Sequence, residues 1–179
     1  LGRSHGRRHA FRPSSIVNIS GMSYGSLSGR AIESLNAGSA IHVAVDDHSR
    51  FAYAEALADE KGPTTAAFLM RAAVAFASVG ITVQRVLTDN GGNYRSFAFQ
   101  AAASELGISR RYTRPYRPQT NGKAEAFNKT LQREWAYRSP YASNQERLAA
   151  LQPFLDDYNF VRPHTAIGNR PPASRLSTT

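Results

Sequence analysis

The sequence predicts an α/β domain built from one sheet and flanking helices. Two runs in which apolar and polar residues alternate, 40–46 and 50–56, predict strands. Later runs with helical spacing are interleaved with two further short strands. A length of 179 residues with 41% hydrophobic content is sufficient for one domain with its own core. We expect residues 40–179 to form that domain and residues 1–39 to form an atypical segment, basic and rich in Gly and Ser.

The N-terminal segment is irregular apart from one strand-like run. Residues 1–12 are basic and lack periodicity, which fits either a flexible terminus or an arm that touches DNA. Residues 15–19 predict a strand, whereas residues 21–29 contain too much Gly and Ser for a regular element. Residues 30–36 then predict one or two helical turns.

The first two strands of the main domain are expected to form a hairpin. Residues 47–49 fit a tight turn between the two alternating runs. Asp46 and Asp47 are both acids at this turn, and we expect them to hold it together, Asp47 through an Asx-type hydrogen bond. Arg50 is expected to share this structural role.

A carboxylate, Asp89, follows the next predicted strand. A helix opens at Pro63, which is favoured in a first turn, and Gly80 closes it. Residues 83–88 then predict a short, half-buried strand, and residues 90–92 break it with turn-forming side chains. In an open α/β sheet, site residues commonly lie where a strand ends. Asp89 is therefore a candidate site residue.

A second carboxylate, Glu125, lies near the start of a predicted helix over residues 123–138. The apolar stripe of that helix consists of Ala124, Phe127, Leu131 and Trp135. At roughly 100° per residue, Glu125 projects from another side of the helix, beside Asn128 and Gln132. Asp89 and Glu125 can converge on one divalent cation, because hard oxygen ligands suit Mg²⁺ and Mn²⁺.

The remaining elements complete the α/β order. A helix over about 96–106 leads to a short strand over 108–112, and residues 113–122 predict a loop. This loop is either a solvated connector or a phosphate-binding segment with guanidinium and amide donors. Ser143 or Asn144 is expected to cap a last helix that runs to residue 158.

The composition points to a polyanionic partner. The chain has 22 Lys and Arg against 13 Asp and Glu, a net charge of +9, which favours nucleic acid over a merely basic soluble protein. The absence of cysteine excludes disulfides and thiolate metal sites. No apolar run approaches the roughly 18 residues that cross a bilayer, and no secretory signal is evident, so we expect a cytoplasmic protein.

Several motifs, in order, resemble one known superfamily. Asp89 lies in 87–94 (LTDNGGNY), and Glu125 ends 114–125 (RPYRPQTNGKAE). Supporting motifs are VDDHSR at 45–50, EWAY at 134–137 and YNFVRPH at 158–164. Over about residues 40–176 the chain resembles the catalytic core of DDE transposases and retroviral-type integrases, specifically of bacterial insertion-sequence transposases.

The resemblance implies a ribonuclease-H-like mixed sheet flanked by helices. It also implies DNA transposition or integration by metal-dependent phosphoryl transfer, in which Asp89 and Glu125 would be catalytic residues and ligands of Mg²⁺ or Mn²⁺ in a two-metal site. The implied partners are transposon ends and target DNA, with a homo-oligomer as the active form.

The resemblance also assigns roles to other residues. The implied DNA-binding residues are Asn93, Arg114, Tyr116, Arg117, Gln119, Asn121, Lys123 and Lys129. The motif at 158–164, which we call the closing motif, implies structural roles for Tyr158, Asn159, Arg162 and His164. Asp47 and Arg50 are also expected to be structural.

The first catalytic Asp of this family is not among the recognised motifs. The first catalytic Asp and the central first strand that carries it precede the region of resemblance. We hypothesise that residues 15–20 replace that strand, which would place Asn18 near the Asp position with a neutral amide. The alternative to a transposase is therefore a non-catalytic DNA-binding remnant.

Residues 13–39 carry a second, short resemblance. The run from Ile19 to Asn36 is similar to a fragment of the flavin-binding domain of glutamate-synthase-like enzymes. Fewer than 30 residues cannot build a barrel of roughly 250, so flavin binding does not follow. The resemblance suggests instead that this segment arose by rearrangement.

Overall fold

The structure, a computed structural model, describes residues 15–23, 40–113, 122–138 and 140–176. Five strands form one sheet: β1 (Ser15–Ser23), β2 (Ala40–Asp46), β3 (Ala52–Leu57), β4 (Val83–Thr88) and β5 (Ser109–Tyr112). Their order across the sheet is β3-β2-β1-β4-β5. The pairs β3–β2 and β2–β1 are antiparallel, whereas β1–β4 and β4–β5 are parallel. The sheet is therefore mixed, as the sequence predicts.

β1 is the central strand of this sheet. Val17 pairs with Asp46 of β2 on one side and with Val86 of β4 on the other. This arrangement confirms the hypothesis that residues 15–20 take the central position. β4 pairs with Ser15–Asn18 and β2 with Val17–Ser23, so backbone groups at the overlap of the two ladders are satisfied on both sides.

β1 extends further than its composition predicts. Residues 21–23 continue the strand, so the prediction of an irregular segment from residue 21 is wrong for these three residues. Gly21 has a specific packing reason, because the Glu60 carboxylate lies where a Cβ at this position would be. The predicted helical turns over residues 30–36 lie outside the described part of the chain.

Six α-helices occur among the described residues: α1 (Gly62–Ser78), α2 (Gly92–Arg95), α3 (Phe97–Glu105), α4 (Gly122–Leu131), α5 (Asn144–Ala149) and α6 (Leu151–Asp156). Two π-helical turns, Gln132–Ala136 and Asp157–Val161, continue α4 and α6. Short 3₁₀ turns follow at Thr165–Ile167 and Pro172–Arg175. None of these described helices combines the length and apolar character needed to cross a bilayer.

The last predicted helix is interrupted. Ser143 caps α5, since its hydroxyl accepts from the Glu146 N–H at 3.1 Å. The helix then breaks at Ala150, because Pro153 has no N–H to donate to the carbonyl of Ala149. The sequence pattern identifies the cap but overlooks this effect of a proline inside the periodic run.

Both faces of the sheet are covered by helices. α1 and α3 pack on the face that includes Val17 and Ile19, whereas α4 and α6 pack on the face that includes Met22. The largest fully buried side chains are Tyr94, Phe68, Phe76 and Phe99 on the first face and Trp135 and Phe127 on the second. Each such side chain contributes roughly 1.5–3 kcal/mol by burial, so the two layers hold β1 firmly in place.

Of the two acids expected to hold the hairpin turn, Asp46 and not Asp47 makes the Asx-type hydrogen bond. The Oδ2 atom of Asp46 accepts from both the N–H and the hydroxyl of Ser49 at 2.7 Å. The Asx-type hydrogen bond predicted for Asp47 is therefore made by Asp46, which is 1% exposed. Asp47 instead forms an ion pair with Lys123, and its backbone carbonyl accepts from Arg50.

The closing motif joins the C-terminal part of the chain to the sheet. The Asn159 side chain makes two 2.8 Å hydrogen bonds with the backbone N–H and carbonyl of Ala52 at the start of β3. The His164 ring packs edge-on against Tyr158, with ring centroids 4.4 Å apart. These contacts fasten α6 and the turns after it to the edge of the sheet.

Candidate functional site

Asp89 lies directly after the last residue of β4. Its Oδ1 accepts from the Gly91 N–H at 2.8 Å, and the next residue, Asn90, donates to the Thr113 carbonyl at 2.9 Å. A Cβ at Gly91 would lie 2.6 Å from Asn93 Oδ1 and 2.9 Å from Asp89 Oδ1, so a larger residue here would displace one of these side chains. The turn therefore presents an exposed carboxylate in a fixed position at the end of the strand.

Glu125 lies in the first turn of α4 on a side of the helix that overlooks β1. One turn later the Asn128 amide donates to the Ser20 hydroxyl at 2.7 Å, and Gln132 contacts the Met22 sulfur at 2.9 Å. Residues three and four apart share one side of a helix, so Glu125 belongs to the same side. Its carboxylate is exposed at the N-terminal end of this row.

α4 and β1 run in the same direction where they contact each other. Four helical residues rise about 6 Å, and two strand residues rise about 6.6 Å, which matches the step from Asn128 on Ser20 to Gln132 on Met22. Glu125 comes three residues before Asn128. This spacing places it between the levels of Asn18 and Ser20.

The residue of β1 that is level with Asp89 is Ser20. In the parallel register, Asn18 is opposite Leu87, so two further residues along both strands bring Ser20 level with Asp89. Strand alternation puts both on the face covered by α4. We call the surface formed by Ser20, Asp89 and Glu125 the carboxylate face.

This register corrects the expected position of Asn18. The sequence hypothesis puts Asn18 near the missing acid, but its side chain lies two residues behind Asp89 and is fully buried. Its amide donates to Val45 O at 3.5 Å and to Asp47 Oδ1 at 3.4 Å. Ser20, which the sequence reasoning did not single out, occupies the level of the site.

Glu60 is an acid that the sequence reasoning missed, and it lies on the other face of β1. Its carboxylate lies over Gly21, which alternates with Ser20 and therefore belongs to the face covered by α1 and α3. Burial raises the pKa of the Tyr94 phenol, and the negative charges of Asp89 and Glu60 raise it further. No sequence signal marks Glu60, because the chain brings it to β1 only through the loop before α1.

The predicted DNA-binding residues fall into three groups. Lys129 is exposed on α4, Lys123 pairs with Asp47, and the Asn93 amide donates to the Thr65 hydroxyl at 3.3 Å. The others lie outside the described residues: Arg114, Tyr116, Arg117, Gln119 and Asn121. The described carboxylate face is thus flanked by one free and one paired lysine from the same helix.

The donors of the carboxylate face are two carboxylates and one hydroxyl. Within the residues that the structure describes, no three Asp, Glu, His or Cys side chains come close enough to hold a metal ion. Ser20 is 6% exposed and contributes only a neutral oxygen. Hard divalent cations prefer several charged oxygen ligands, so this set is one carboxylate short of a three-acid site.

Comparisons with known families give a consistent match. The family model described as "Integrase core domain" matches residues 29–118, and a second model with the same description matches residues 106–172. The first match includes Asp89 and the second includes Glu125. Together they cover four of the five strands and the helices that follow them.

Relatives by sequence come from bacterial insertion elements. An uncharacterised protein of insertion element IS136 from Agrobacterium fabrum is 35% identical over 81 residues, which are 45% of this chain and 42% of that protein. Transposase InsD for insertion element IS2A/D/F/H/I/K from Escherichia coli is 34% identical over 90 residues, 50% of this chain and 30% of that protein. The chain therefore spans less than half the length of either relative.

Solved structures of similar fold come from retroviruses. The catalytic core domain of BIV integrase aligns over 90% of this chain and 92% of that chain, with a TM-score of 0.66 and 22% identity. A chain of the simian T-cell lymphotropic virus intasome in complex with PP2A regulatory subunit B56 gamma aligns over 96% of this chain and 57% of that chain, with a TM-score of 0.72 and 22% identity. These likenesses confirm the predicted ribonuclease-H-like fold.

Proposed function

Since the chain belongs to the integrase core domain family, we propose that it serves DNA transposition or integration by binding DNA across the carboxylate face. The observation that carries this proposal is the convergence of three elements, β1, the end of β4 and α4, on one exposed surface beside the two acids of the family motifs. The relatives named above are insertion-element proteins, which supports the same role.

Electrostatics supports DNA as the partner. A net charge of +9 attracts a polyanion, and Lys and Arg side chains position a protein on phosphates irrespective of base sequence. Lys129 stands on α4 beside the carboxylate face and is the described basic residue best placed for such a contact. We assign phosphate contacts to Lys123 and Asn93 as well, and to Arg114, Tyr116, Arg117, Gln119 and Asn121 in the segment that leads into α4.

Metal chemistry is where this chain departs from its family. The integrase core domain family generally uses divalent metal ions. In this chain Asp89 and Glu125 supply two carboxylates, and the third element of the face, β1, supplies the neutral Ser20. This donor set does not fit a three-carboxylate centre for Mg²⁺ or Mn²⁺. We therefore favour DNA binding without strand cleavage over catalysed strand transfer.

The whole protein's assembly belongs to the same proposal. One structural neighbour is a chain of an intasome, and we propose that this domain likewise assembles, as a homo-oligomer on paired DNA ends. Sedimentation of the chain with and without duplex DNA measures this directly. A single copy on each duplex at every protein concentration would contradict it.

The binding proposal is tested by fluorescence anisotropy with a labelled duplex over a range of salt concentrations. Affinity should fall steeply with salt, and Lys129→Gln should reduce the logarithmic salt slope by about 0.9, the loss of one phosphate contact. Arg170→Gln, which removes an exposed charge from the C-terminal turn, is the charge-matched control. Equal effects of the two substitutions would show attraction by net charge alone and would contradict binding at the carboxylate face.

A further inference from the structure

We infer that Ser20 occupies the place of a missing carboxylate ligand, and that converting it to an acidic or thiolate ligand creates a divalent-cation site with Asp89 and Glu125. The inference rests on the proposed function for its choice of face, but it concerns cation binding in the absence of DNA. It identifies the residue by which this chain departs from a metal-binding site.

The strand register places Ser20 beside Asp89. Asn18 and Leu87 are paired across the parallel ladder, and two residues further on Ser20 and Asp89 are level and on one face. Adjacent strands are about 4.8 Å apart, so side chains at these two positions can share one ion. Asn18 is two residues behind and is already engaged with Asp47.

The contact between Ser20 and α4 places Glu125 on the same side as Ser20. Asn128 donates to the Ser20 hydroxyl at 2.7 Å, and Glu125 lies one turn earlier on the same side of the helix. A carboxylate at position 20 would keep the Asn128 donor and extend one bond further toward Glu125. The helix therefore already supplies an orienting hydrogen bond for a ligand at this position.

Unpartnered acceptors on this face are an independent sign of a missing cation. Asn18 Oδ1 and Asn128 Oδ1 are both buried and have no hydrogen-bond donor among the described residues. Asn18 is fully buried, so its carbonyl oxygen lacks water as well as a protein donor. A cation held by Asp89 and Glu125 would supply positive charge near Asn128, whereas Asn18 lies further back beside the Asp47–Lys123 pair.

Electrostatics explains why a neutral residue is tolerated here. Without a cation, an acid at position 20 would be almost fully buried beside Asp89, with Glu125 on the same face. Like charges at such separations repel strongly in a partly desolvated site. Ser20 relieves this repulsion, so the fold is retained while the third charged ligand is lost.

The experiment compares the wild-type chain with Ser20→Asp, using Ser20→Asn and Asn18→Asp as controls. Thermal unfolding is followed as Mn²⁺ is added, and binding is measured directly by electron paramagnetic resonance of the free ion. We expect Ser20→Asp to have the lower Tm without Mn²⁺ and a saturable rise with it, and to bind Mn²⁺ at least tenfold more tightly than wild type. Ser20→Asn and Asn18→Asp should behave as wild type toward Mn²⁺.

A second variant keeps the test decisive if Ser20→Asp does not fold. Ser20→Cys is close in size to serine and introduces the sole thiol of the chain, which has no cysteine. With Cd²⁺ it should show thiolate-to-metal charge-transfer absorption that weakens when Asp89→Asn is added. Absence of this band, or a Mn²⁺ response in Asn18→Asp alone, would overturn the inference. DNA affinity of the wild-type chain is measured separately, so failure of the proposed function is distinguishable.

Discussion

Two glutamates of one continuous helical segment have opposite surroundings. Glu125, in the first turn of α4, is exposed and has no ion pair or hydrogen bond to another described residue. Glu134, in the π turn that continues α4, accepts two hydrogen bonds from Arg162 at 2.8 and 2.7 Å. The difference shows that the C-terminal part of the segment fastens the fold, while its N-terminal part leaves an acid available for a ligand.

The same contrast separates the two ends of the domain. At the closing motif the Asn159, Arg162 and His164 side chains each have a hydrogen-bond partner among the described residues. At the carboxylate face, buried amide oxygens of Asn18 and Asn128 have no donor among the described residues. Substitutions at the first region should therefore change stability, and substitutions at the second should change binding.

The largest expected effect is at Asn159. Asn159→Ala removes both hydrogen bonds to Ala52 and leaves a buried N–H and carbonyl unsatisfied, so the free energy of unfolding should fall by about 2–4 kcal/mol. Urea denaturation measures this loss. Asn159→Asp keeps the shape and one acceptor but turns a carboxylate oxygen toward the Ala52 carbonyl in a buried site, so it should lose at least as much as Asn159→Ala. A loss below about 0.5 kcal/mol would contradict a fastening role.

Breaking the Arg162 pair should have a smaller effect. Glu134→Gln leaves one hydrogen bond but removes the charge from a partly exposed pair, so we expect a loss of about 0.5–1 kcal/mol. The double variant with Arg162→Gln completes a double-mutant cycle in urea. Additive losses would mean that the two side chains do not stabilise each other.

A pH effect at the closing motif should be smaller still. Burial lowers the pKa of His164, and Arg162 lowers it further, so the folded chain binds this proton less readily than the unfolded chain, whose histidine has a pKa of about 6.5. The stabilisation is therefore present above pH 6.5 and is lost as the pH falls through the lower folded pKa. Wild type should lose up to about 1 kcal/mol more than His164→Gln between pH 7 and pH 5. Identical losses in the two proteins would contradict this assignment.

At the carboxylate face stability should scarcely change. Asp89→Asn and Glu125→Gln remove exposed charges, so the free energy of unfolding should stay within about 0.5 kcal/mol of wild type. Because each acid repels phosphate, DNA affinity should rise by roughly two- to fivefold. Anisotropy and urea denaturation on the same samples test both statements. Weaker DNA binding with unchanged stability would mean that these acids do not face the DNA.

Local sequence pattern predicts part of this arrangement. The β-branched run of residues 16–19 predicts a strand, and its central place follows because a ribonuclease-H-like sheet needs one there. The pattern does not predict the last part of β1, since Gly21 interrupts the apolar run and its neighbour Glu60 is distant in sequence. Local composition gives no information on such a contact between distant residues.

The register of β1 against β4 and the choice of hydrogen-bond partner in the hairpin turn are two further features that the sequence does not predict. The candidate acids Asp89 and Glu125 come from motifs, but the assignment of Ser20 rather than Asn18 depends on how β1 slides against β4. A shift of one residue would turn every side chain to the other face. Likewise, Asp46 and Asp47 are adjacent in sequence, and only the folded turn decides which of them bonds Ser49.

The most direct test of the central claim is strand cleavage by the wild-type chain. A labelled duplex is incubated with saturating protein in Mn²⁺, and bound DNA and cleavage products are measured in the same samples. We predict full binding and no cleavage product, because the carboxylate face has two acids and Ser20 where a third would lie. Cleavage that disappears in Asp89→Asn would contradict it, since the chain would then hold a working metal site.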